Sequence, residues 1–217
     1  NALTQAQNAE ASNFPFCTIE PNVGRVAVPD ARLAKIAKLA NTNTLIPNFL
    51  EFVDIAGLVA GASKGEGLGN QFLANIREVD AILHVVRCFA DDNITHVAGK
   101  IAPLSDIEII ETELMLADLE SLQKRIPNLE KKARSGDKEL QQQLQIVKEI
   151  LTLLEDGKPA RVYQAKTEED QKIFKMLQLL TAKKVIFVCN VAEDEVASGN
   201  NFSSEVADYA HKNEAEA

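Results

Sequence analysis

The sequence is poor in cysteine and tryptophan, and it has fewer basic than acidic residues. It contains three cysteines and no tryptophan in 217 residues. The cysteines are far apart and form no Cys-x-x-Cys pair, which argues against a disulfide framework or a cysteine zinc site and favours reduced thiols inside a cell. Lys plus Arg is 23 and Asp plus Glu is 32, a formal charge of −9. That balance argues against a protein that coats DNA through a basic surface, although it leaves room for a local basic patch.

Long hydrophobic runs are also missing. The longest, Ala81–Ala90, is about half as long as a membrane-spanning helix requires, and no signal-peptide pattern opens the chain. We therefore expect a cytoplasmic protein without a membrane or DNA partner. The first residue is Asn1 rather than Met, and Asn1–Gln5 resembles the middle of a helix. We accordingly expect the chain to be part of a longer protein.

Short apolar strands alternate with helical segments in the first and last parts of the chain, which is typical of an α/β fold. The continuous apolar run from Ala81 to Phe89 favours a strand that is buried on both faces of a parallel sheet. Asp30 is placed to cap the first helix. The predicted strands are Pro21–Val28, Asn48–Val53, Ala81–Phe89 and Lys184–Asn190, and the predicted helices are Ala31–Leu39, Asn70–Val79 and Ser203–Lys212.

The middle of the chain has a different pattern, rich in Leu, Glu, Lys and Gln. Apolar residues recur there every three or four positions on two segments around a turn at Arg134–Asp137, and a third helix is predicted at about Thr167–Leu180. This pattern predicts an antiparallel coiled-coil hairpin, serving either as a contact arm or as a packed helical subdomain. The predicted seam residues are Leu116, Leu119, Leu122, Ile126 and Leu129, followed by Leu140, Leu144, Val147, Leu151 and Leu154.

Three polar elements lie beside predicted strands, where the ligand crevice of an open parallel sheet lies. Asp54 ends a strand and Gly57 follows, as in P-loop NTPases, where such an Asp orients Mg²⁺ and such a Gly approaches the γ-phosphate. Thr18, in the preceding loop, fits a Mg²⁺-binding hydroxyl of switch I. Each of these elements taken alone is also compatible with an ordinary turn.

The third element, Asn190-Val-Ala-Glu193, follows the last predicted strand. GTPases have Asn-Lys-x-Asp here, where the Asp accepts hydrogen bonds from guanine. In this sequence Val191 replaces Lys and Glu193 replaces Asp, which argues against strict guanine selection. Asn190 can still bond a purine edge, and Val191 can pack on its ring.

Four long motifs together resemble the YchF, or Obg-like ATPase, family of GTPase-like P-loop proteins. The resemblance covers essentially the whole chain, including the hairpin, and motifs of this length are highly specific. They are Asn13–Gly24, Phe52–Val59, Gly61–Asn70 and Asn190–Asp194.

This resemblance implies a P-loop NTPase fold with a mostly parallel sheet, interrupted by the coiled-coil hairpin. The expected parts are a G-type domain in residues 1–108, the helical insertion in 109–180 and a resumed G-type domain in 181–217. The resemblance further implies a translation-associated switch protein that binds and hydrolyses ATP with Mg²⁺ and associates with ribosomes in the cytosol. By resemblance, the Mg²⁺ ligands are Thr18 and Asp54, Gly57 binds the γ-phosphate, and Asn190, Val191 and Glu193 form the base pocket.

Leu58 occupies the position at which many GTPases have a catalytic glutamine. A hydrophobic side chain cannot orient the attacking water, so hydrolysis needs another group. His96 lies in a polar loop beyond the strand Ala81–Phe89, and imidazole can position or deprotonate water. We predict His96 as the catalytic residue, whereas His84 is expected in the core and His211 in solvent.

The Walker A segment, Gly-x-x-x-x-Gly-Lys-[Ser/Thr], is absent from the sequence, and so is the family's C-terminal TGS domain. Without that lysine and its loop amides, the phosphates are weakly held. We therefore expect an ATPase in the intact protein but little activity in this chain alone.

Two other functions stay open: a ribosome- or protein-binding fragment acting through the arm, and a GTPase with relaxed base choice. Basic residues near the hairpin turn offer a contact with ribosomal RNA, although an ordinary solvated helix face explains them equally well. They are Lys124, Arg125, Lys131, Lys132, Arg134 and Lys138.

Overall fold

The computed structural model describes residues 22–55, 68–91 and 101–217, with the side chains of residues 68–71 left aside. The chain divides into two compact units, Asn1–Gly57 and Leu58–Ala217, which are described one at a time. In the first unit, strand β1 (Asn22–Ala27) pairs with β2 (Phe49–Asp54) in antiparallel fashion.

Helix α1 (Ala31–Leu39) connects these two strands and has the bounds that the sequence predicts. Asp30 is its N-cap, as predicted, because its carboxylate accepts a hydrogen bond from the Arg32 backbone N–H at 2.9 Å. The Arg25 guanidinium lies 4.1 Å from the Phe49 ring centroid, across the antiparallel pair. The antiparallel pair of β1 and β2 is thus held by a side-chain contact as well as by its backbone hydrogen bonds.

The second unit has a parallel strand pair, as the sequence predicts for an α/β fold. Strands β3 and β4 pair with Ala81 opposite Lys184 and Arg87 opposite Asn190. Their carboxyl ends therefore lie side by side at one edge. The elements in chain order are α2 (Leu68–Glu78), β3 (Ala81–Arg87), α3 (Pro103–Ala133), α4 (Lys138–Glu155), α5 (Glu168–Met176), β4 (Lys184–Asn190) and α6 (Asn201–Lys212), with 3₁₀ turns at Ala160–Val162 and Glu193–Glu195.

Two separate apolar cores hold the second unit together. The sheet core joins one face of β3 and β4 to α3 and α6, and it contains Val86, Cys88, Ile107, Val185, Phe187, Val206 and Ala210. The hairpin core joins α3, α4 and α5, and it contains Leu122, Ile146, Val147, Ile150, Leu154, Ala160, Ile173, Phe174, Leu177 and Leu179.

Burial of β3 on both faces, expected from its continuous apolar run, is not what the described residues show. Leu83 and Val85 on β3, and Ile186 and Val188 on β4, are 38% to 64% exposed. Successive strand side chains point to opposite faces, and the partners α3 and α6 pack on the same face. The described sheet is therefore buried on one side only.

The predicted helical hairpin is present, but the first residue of its seam on α3 differs from the prediction by one position. Leu116 is exposed, whereas Met115 packs against the hairpin core. The seam on α3 is therefore spaced 4-3-4-3 from its first residue, as a heptad requires. On α4, Ile146 and Ile150 are buried in addition to the predicted Val147 and Leu154, because the core extends sideways to α5.

Turn chemistry explains the reversal between α3 and α4. Gly136 has a φ of +85°, a left-handed conformation that glycine adopts without the penalty of a Cβ. The next residue, Asp137, caps α4 by accepting hydrogen bonds from the backbone N–H groups of Glu139 and Leu140. The predicted turn at Arg134–Asp137 is thereby confirmed.

The hairpin root, defined here as Asp118, Thr181, Glu111 and Arg161, is a buried polar junction beside the hairpin core. The Asp118 carboxylate accepts hydrogen bonds from the Leu180 N–H at 2.9 Å, the Thr181 N–H at 2.8 Å and the Thr181 hydroxyl at 2.7 Å. Burial raises the pKa of Asp118 above its ordinary value, against the opposing effect of these donors. This carboxylate therefore joins α3 to the segment that enters β4.

Arg161 and Glu111 form the second part of the hairpin root. Their side chains are 7% and 6% exposed, and Arg161 Nη2 lies 2.9 Å from Glu111 Oε2. Arg161 Nε also donates to the Asn213 carbonyl oxygen, just beyond α6, at 3.3 Å. One guanidinium thus connects α3, a 3₁₀ turn and the end of α6.

Candidate nucleotide-binding site

The carboxyl ends of β3 and β4 meet at one edge of the sheet. The backbone N–H of Cys88, just past β3, donates to the Asn190 carbonyl oxygen at the end of β4 at 2.7 Å. This bond extends the parallel ladder and fixes the point at which the chain leaves each strand. It places the predicted base-pocket residues at the edge where open parallel sheets bind ligands.

The three predicted base-pocket residues follow one another out of β4. Asn190 is exposed, Val191 is half-buried and packs against the sheet core, and Glu193 is exposed at the start of a 3₁₀ turn. Asn190 offers a donor and an acceptor, while the Glu193 carboxylate offers acceptors only. The described geometry therefore leaves two polar side chains accessible beside one apolar anchor.

Two residues that sequence reasoning missed hold this loop. The Asn200 side-chain amide donates to the Cys88 carbonyl oxygen and to Glu195 Oε2, both at 2.7 Å. Glu195 Oε2 also accepts from the Ala192 backbone N–H at 3.4 Å. The pattern Asn200-x-x-Ser203 signals a helix N-cap, but nothing in it reveals contacts with residues 88 and 195.

The surroundings of the two cysteines at this edge disfavour the thiolate form. Cys88 is fully buried and burial raises its pKa to about 12, with Cys189 beside it as a further cause. Burial also raises the pKa of Cys189. A thiol with a raised pKa carries little thiolate at neutral pH and makes a poor nucleophile.

Two of the three histidines lie in described parts of the chain, and both take the places predicted for them. His84 packs on Phe187 with ring centroids 5.5 Å apart, and burial lowers the pKa of His84 below its ordinary value. His211 is exposed in the last turn of α6. His96, the predicted catalytic residue, lies outside the described residues and stays a prediction.

In the first unit, Asp54 is the last residue of β2 and its side chain is exposed, opposite Asn22 on β1. An accessible carboxylate at a strand end fits a Mg²⁺-orienting group, since Mg²⁺ prefers oxygen ligands and keeps several waters. Thr18 and Gly57, the other predicted phosphate and metal residues, lie outside the described residues. Within the described ranges, no group of three or more His, Cys, Asp or Glu side chains forms a ready-made metal site.

None of the helices in the described parts of the chain is both long and apolar enough to cross a bilayer.

Comparisons with known proteins identify the family and the fold. A family model described as a 50S ribosome-binding GTPase matches residues 1–116. Two proteins called ribosome-binding ATPase YchF are similar to the chain. The one from Bacillus subtilis is 53% identical over 218 residues, covering 100% of this chain and 59% of the relative. The one from Haemophilus influenzae is 55% identical over 194 residues, covering 89% of this chain and 53% of the relative.

A solved structure, described as the Schizosaccharomyces pombe YchF GTPase, is similar at 35% identity and a TM-score of 0.74. The match covers 98% of this chain and 58% of that one. The chain thus spans somewhat more than half the length of the relatives it matches. The match carries the P-loop GTPase-like α/β fold, and the chain belongs to the YchF family.

Proposed function

We propose that this chain contributes the base-recognition part of a cytoplasmic, ribosome-associated ATPase. The observation that carries the proposal is the Asn190–Glu193 loop at the shared carboxyl edge of β3 and β4. The two curated relatives are named ATPases and the solved neighbour is titled a GTPase. Base choice is therefore the property that the experiment has to decide.

The chemistry of the loop favours adenine. In GTPases an Asp at this position accepts from two guanine donors, and the longer Glu193 side chain places its carboxylate differently. Val191, where GTPases have Lys, gives the base an apolar surface to pack on. Asn190 bonds the purine edge with its amide. Together these three residues select a purine without requiring the guanine donor pair.

Roles in phosphate and metal binding are proposed separately, from the family resemblance of residues in the first unit. By that resemblance, Asp54 and Thr18 would hold Mg²⁺ and Gly57 would bind the γ-phosphate. Mg²⁺, when bound, would neutralise charge on the phosphates. His96 positions the attacking water in place of the missing glutamine. Because the sequence has no Walker A segment, we expect weak nucleotide binding by the chain alone.

The test is hydrolysis by an exchange protein, defined as the Bacillus subtilis relative in which this chain replaces the matching stretch. With Mg²⁺ present, we expect ATP to be hydrolysed in preference to GTP. Glu193→Asp, which restores the GTPase residue, is the matched variant and shifts the preference toward GTP. A parent exchange protein that prefers GTP would refute the proposal.

His96 is tested in the same assay. We expect His96→Ala to lower ATP hydrolysis by roughly 10²- to 10⁴-fold, the usual contribution of a positioned acid or base, with ATP binding retained. His211→Ala is the control, because His211 is exposed at the end of α6. Equal hydrolysis by the parent and His96→Ala would remove His96 from the mechanism.

The second candidate function, binding through the helical hairpin, rests on exposed cations at its turn. The hairpin tip, defined as Lys131, Lys132, Arg134 and Lys138, has all four side chains exposed. The other two predicted tip residues are engaged elsewhere: Lys124 pairs with Glu120, and Arg125 donates to the Leu177 carbonyl oxygen at 3.1 Å. We propose that the hairpin tip contacts ribosomal RNA phosphates, with the large subunit or the whole ribosome as partner.

A further inference from the structure

Asn200 lies where three parts of the second unit meet: the end of β3, the loop after β4 and the start of α6. Its side-chain amide uses both hydrogens, one on the Cys88 carbonyl oxygen and one on Glu195 Oε2. Its side-chain oxygen accepts from the Ser203 N–H at 2.9 Å and so caps α6. The orientation of this side chain is therefore fixed from three directions.

Glu195 connects the Asn200 side chain to the backbone of the Asn190–Glu193 loop. Its Oε2 accepts from Asn200 and from the backbone N–H of Ala192, the residue between Val191 and Glu193. Its own backbone N–H donates to the Ala192 carbonyl oxygen at 3.0 Å. A single residue thus holds both the N–H and the carbonyl of Ala192.

The other end of the loop is held at the same place. The Asn190 carbonyl oxygen accepts from the Cys88 N–H, and the Cys88 carbonyl oxygen accepts from Asn200. Residue 88 therefore binds the loop at its start directly and at its end through Asn200. The four residues between Asn190 and Glu195, Val191 to Asp194, are therefore connected to residue 88 at both ends.

We propose that Glu195 and Asn200 are positioning residues that set the base preference of the Asn190–Glu193 loop. Neither is assigned a contact with the base; each acts through the backbone of the loop. Discrimination between purines requires donors and acceptors to be held within about 0.5 Å, and a held loop loses less entropy when the base binds. This inference rests on the proposed nucleotide-binding function.

Two substitutions separate positioning from helix capping. Asn200→Ser retains a capping oxygen but removes the amide that binds Cys88 and Glu195. Glu195→Gln keeps the size of the side chain and replaces an acceptor oxygen by a donor. Asn201→Ser is the matched control, because it makes the same chemical change one residue later at an exposed position.

The experiment is a titration of the exchange protein with ATP and, separately, with GTP in the presence of Mg²⁺, combined with amide hydrogen exchange at Ala192. In Asn200→Ser and Glu195→Gln we expect ATP affinity to fall roughly tenfold, about the net contribution of one hydrogen bond, and the ratio of ATP to GTP affinity to approach one. In both variants we expect amide exchange at Ala192 to become faster and exchange within β4 to stay as in the parent. In Asn201→Ser we expect nucleotide affinity and amide exchange to match those of the parent.

The remaining outcomes distinguish failure of the positioning role from failure of the proposed function. A parent exchange protein that prefers ATP, with the same preference in both variants, would overturn the positioning role and leave the proposed function intact. A lowered melting temperature with an unchanged affinity ratio would reduce both residues to structural ones. A parent exchange protein that binds neither nucleotide, or GTP as well as ATP, would contradict the proposed function and the inference with it.

Discussion

The hairpin root and the hairpin tip carry polar groups in opposite settings. At the root, Asp118, Glu111 and Arg161 are buried and every one has a hydrogen-bond partner. At the tip, Lys131, Lys132, Arg134 and Lys138 are exposed. Buried polar groups are costly to leave unpaired, whereas exposed charges contribute little to folding. The root therefore determines how the hairpin is attached, and the tip is free to serve a partner.

The largest expected effect comes from breaking the buried ion pair at the root. Arg161→Ala leaves the Glu111 carboxylate buried without its partner, so we expect the free energy of unfolding to fall by about 3–5 kcal/mol. Urea unfolding followed by circular dichroism measures the change. Lys124→Ala, which breaks an exposed pair with Glu120, is the control and changes the free energy by less than about 1 kcal/mol. Equal losses in the two variants would contradict the comparison.

Removal of the root carboxylate is expected to have the next largest effect. Asp118→Ala leaves the N–H groups of Leu180 and Thr181 buried without an acceptor, at a cost of about 2–4 kcal/mol in the free energy of unfolding. Thr181→Val removes the hydroxyl, which donates to Asp118 and accepts from the Ala160 N–H. It leaves the Leu180 and Thr181 N–H groups paired with Asp118, so a smaller loss is expected. The same urea titration checks both variants. A larger loss in Thr181→Val than in Asp118→Ala would show that the carboxylate is not the centre of the junction.

The third effect depends on pH and concerns His84 in the sheet core. Burial lowers its pKa in the folded state from the ordinary value of 6.5, so the unfolded chain takes up a proton first as pH falls. The stabilising contribution of neutral His84 is therefore complete above pH 6.5 and is lost as pH falls toward the folded-state pKa. Asp106 opposes the shift and limits its size.

The measurement for His84 is unfolding free energy between pH 5 and 8 in the parent and in His84→Gln, which cannot titrate. The parent should lose more stability than the variant as pH falls through about 6.5. His211→Gln, an exposed histidine in α6, is the control and should follow the parent. Parallel pH curves for the parent and His84→Gln would exclude His84 as a source of acid sensitivity.

The smallest effect on stability is expected at the tip. Reversal of Lys131, Lys132, Arg134 and Lys138 to Glu should change the free energy of unfolding by about 0.5 kcal/mol or less per site. Ribosome association, measured by co-sedimentation of the exchange protein, should nevertheless weaken and lose its salt dependence. Unchanged co-sedimentation of the charge-reversed protein would leave the tip as an ordinary solvated surface.

The sequence predicts elements well where the signal is local. The cap at Asp30, the turn at Gly136 and the strand Lys184–Asn190 all depend on nearby residues, and all three are confirmed. The start of the seam is wrong by one residue, because Met115 and Leu116 are both apolar and only packing tells them apart.

Contacts between distant positions were the part that sequence reasoning could not supply. Asp118 meets Thr181 across 63 positions, and Asn200 meets Cys88 across 112. Taken alone, each of these residues is of a type that is common in helices, turns or helix caps. Only the fold brings the partners together, which is why the root and the held base loop were absent from the sequence-based predictions.

The most direct test of the account is a titration of the exchange protein with fluorescent ATP and GTP analogues in the presence of Mg²⁺. The Asn190–Glu193 loop predicts tighter binding of the ATP analogue, and a weaker preference in Glu193→Asp. Tighter binding of the GTP analogue by the parent exchange protein would contradict the proposed base pocket.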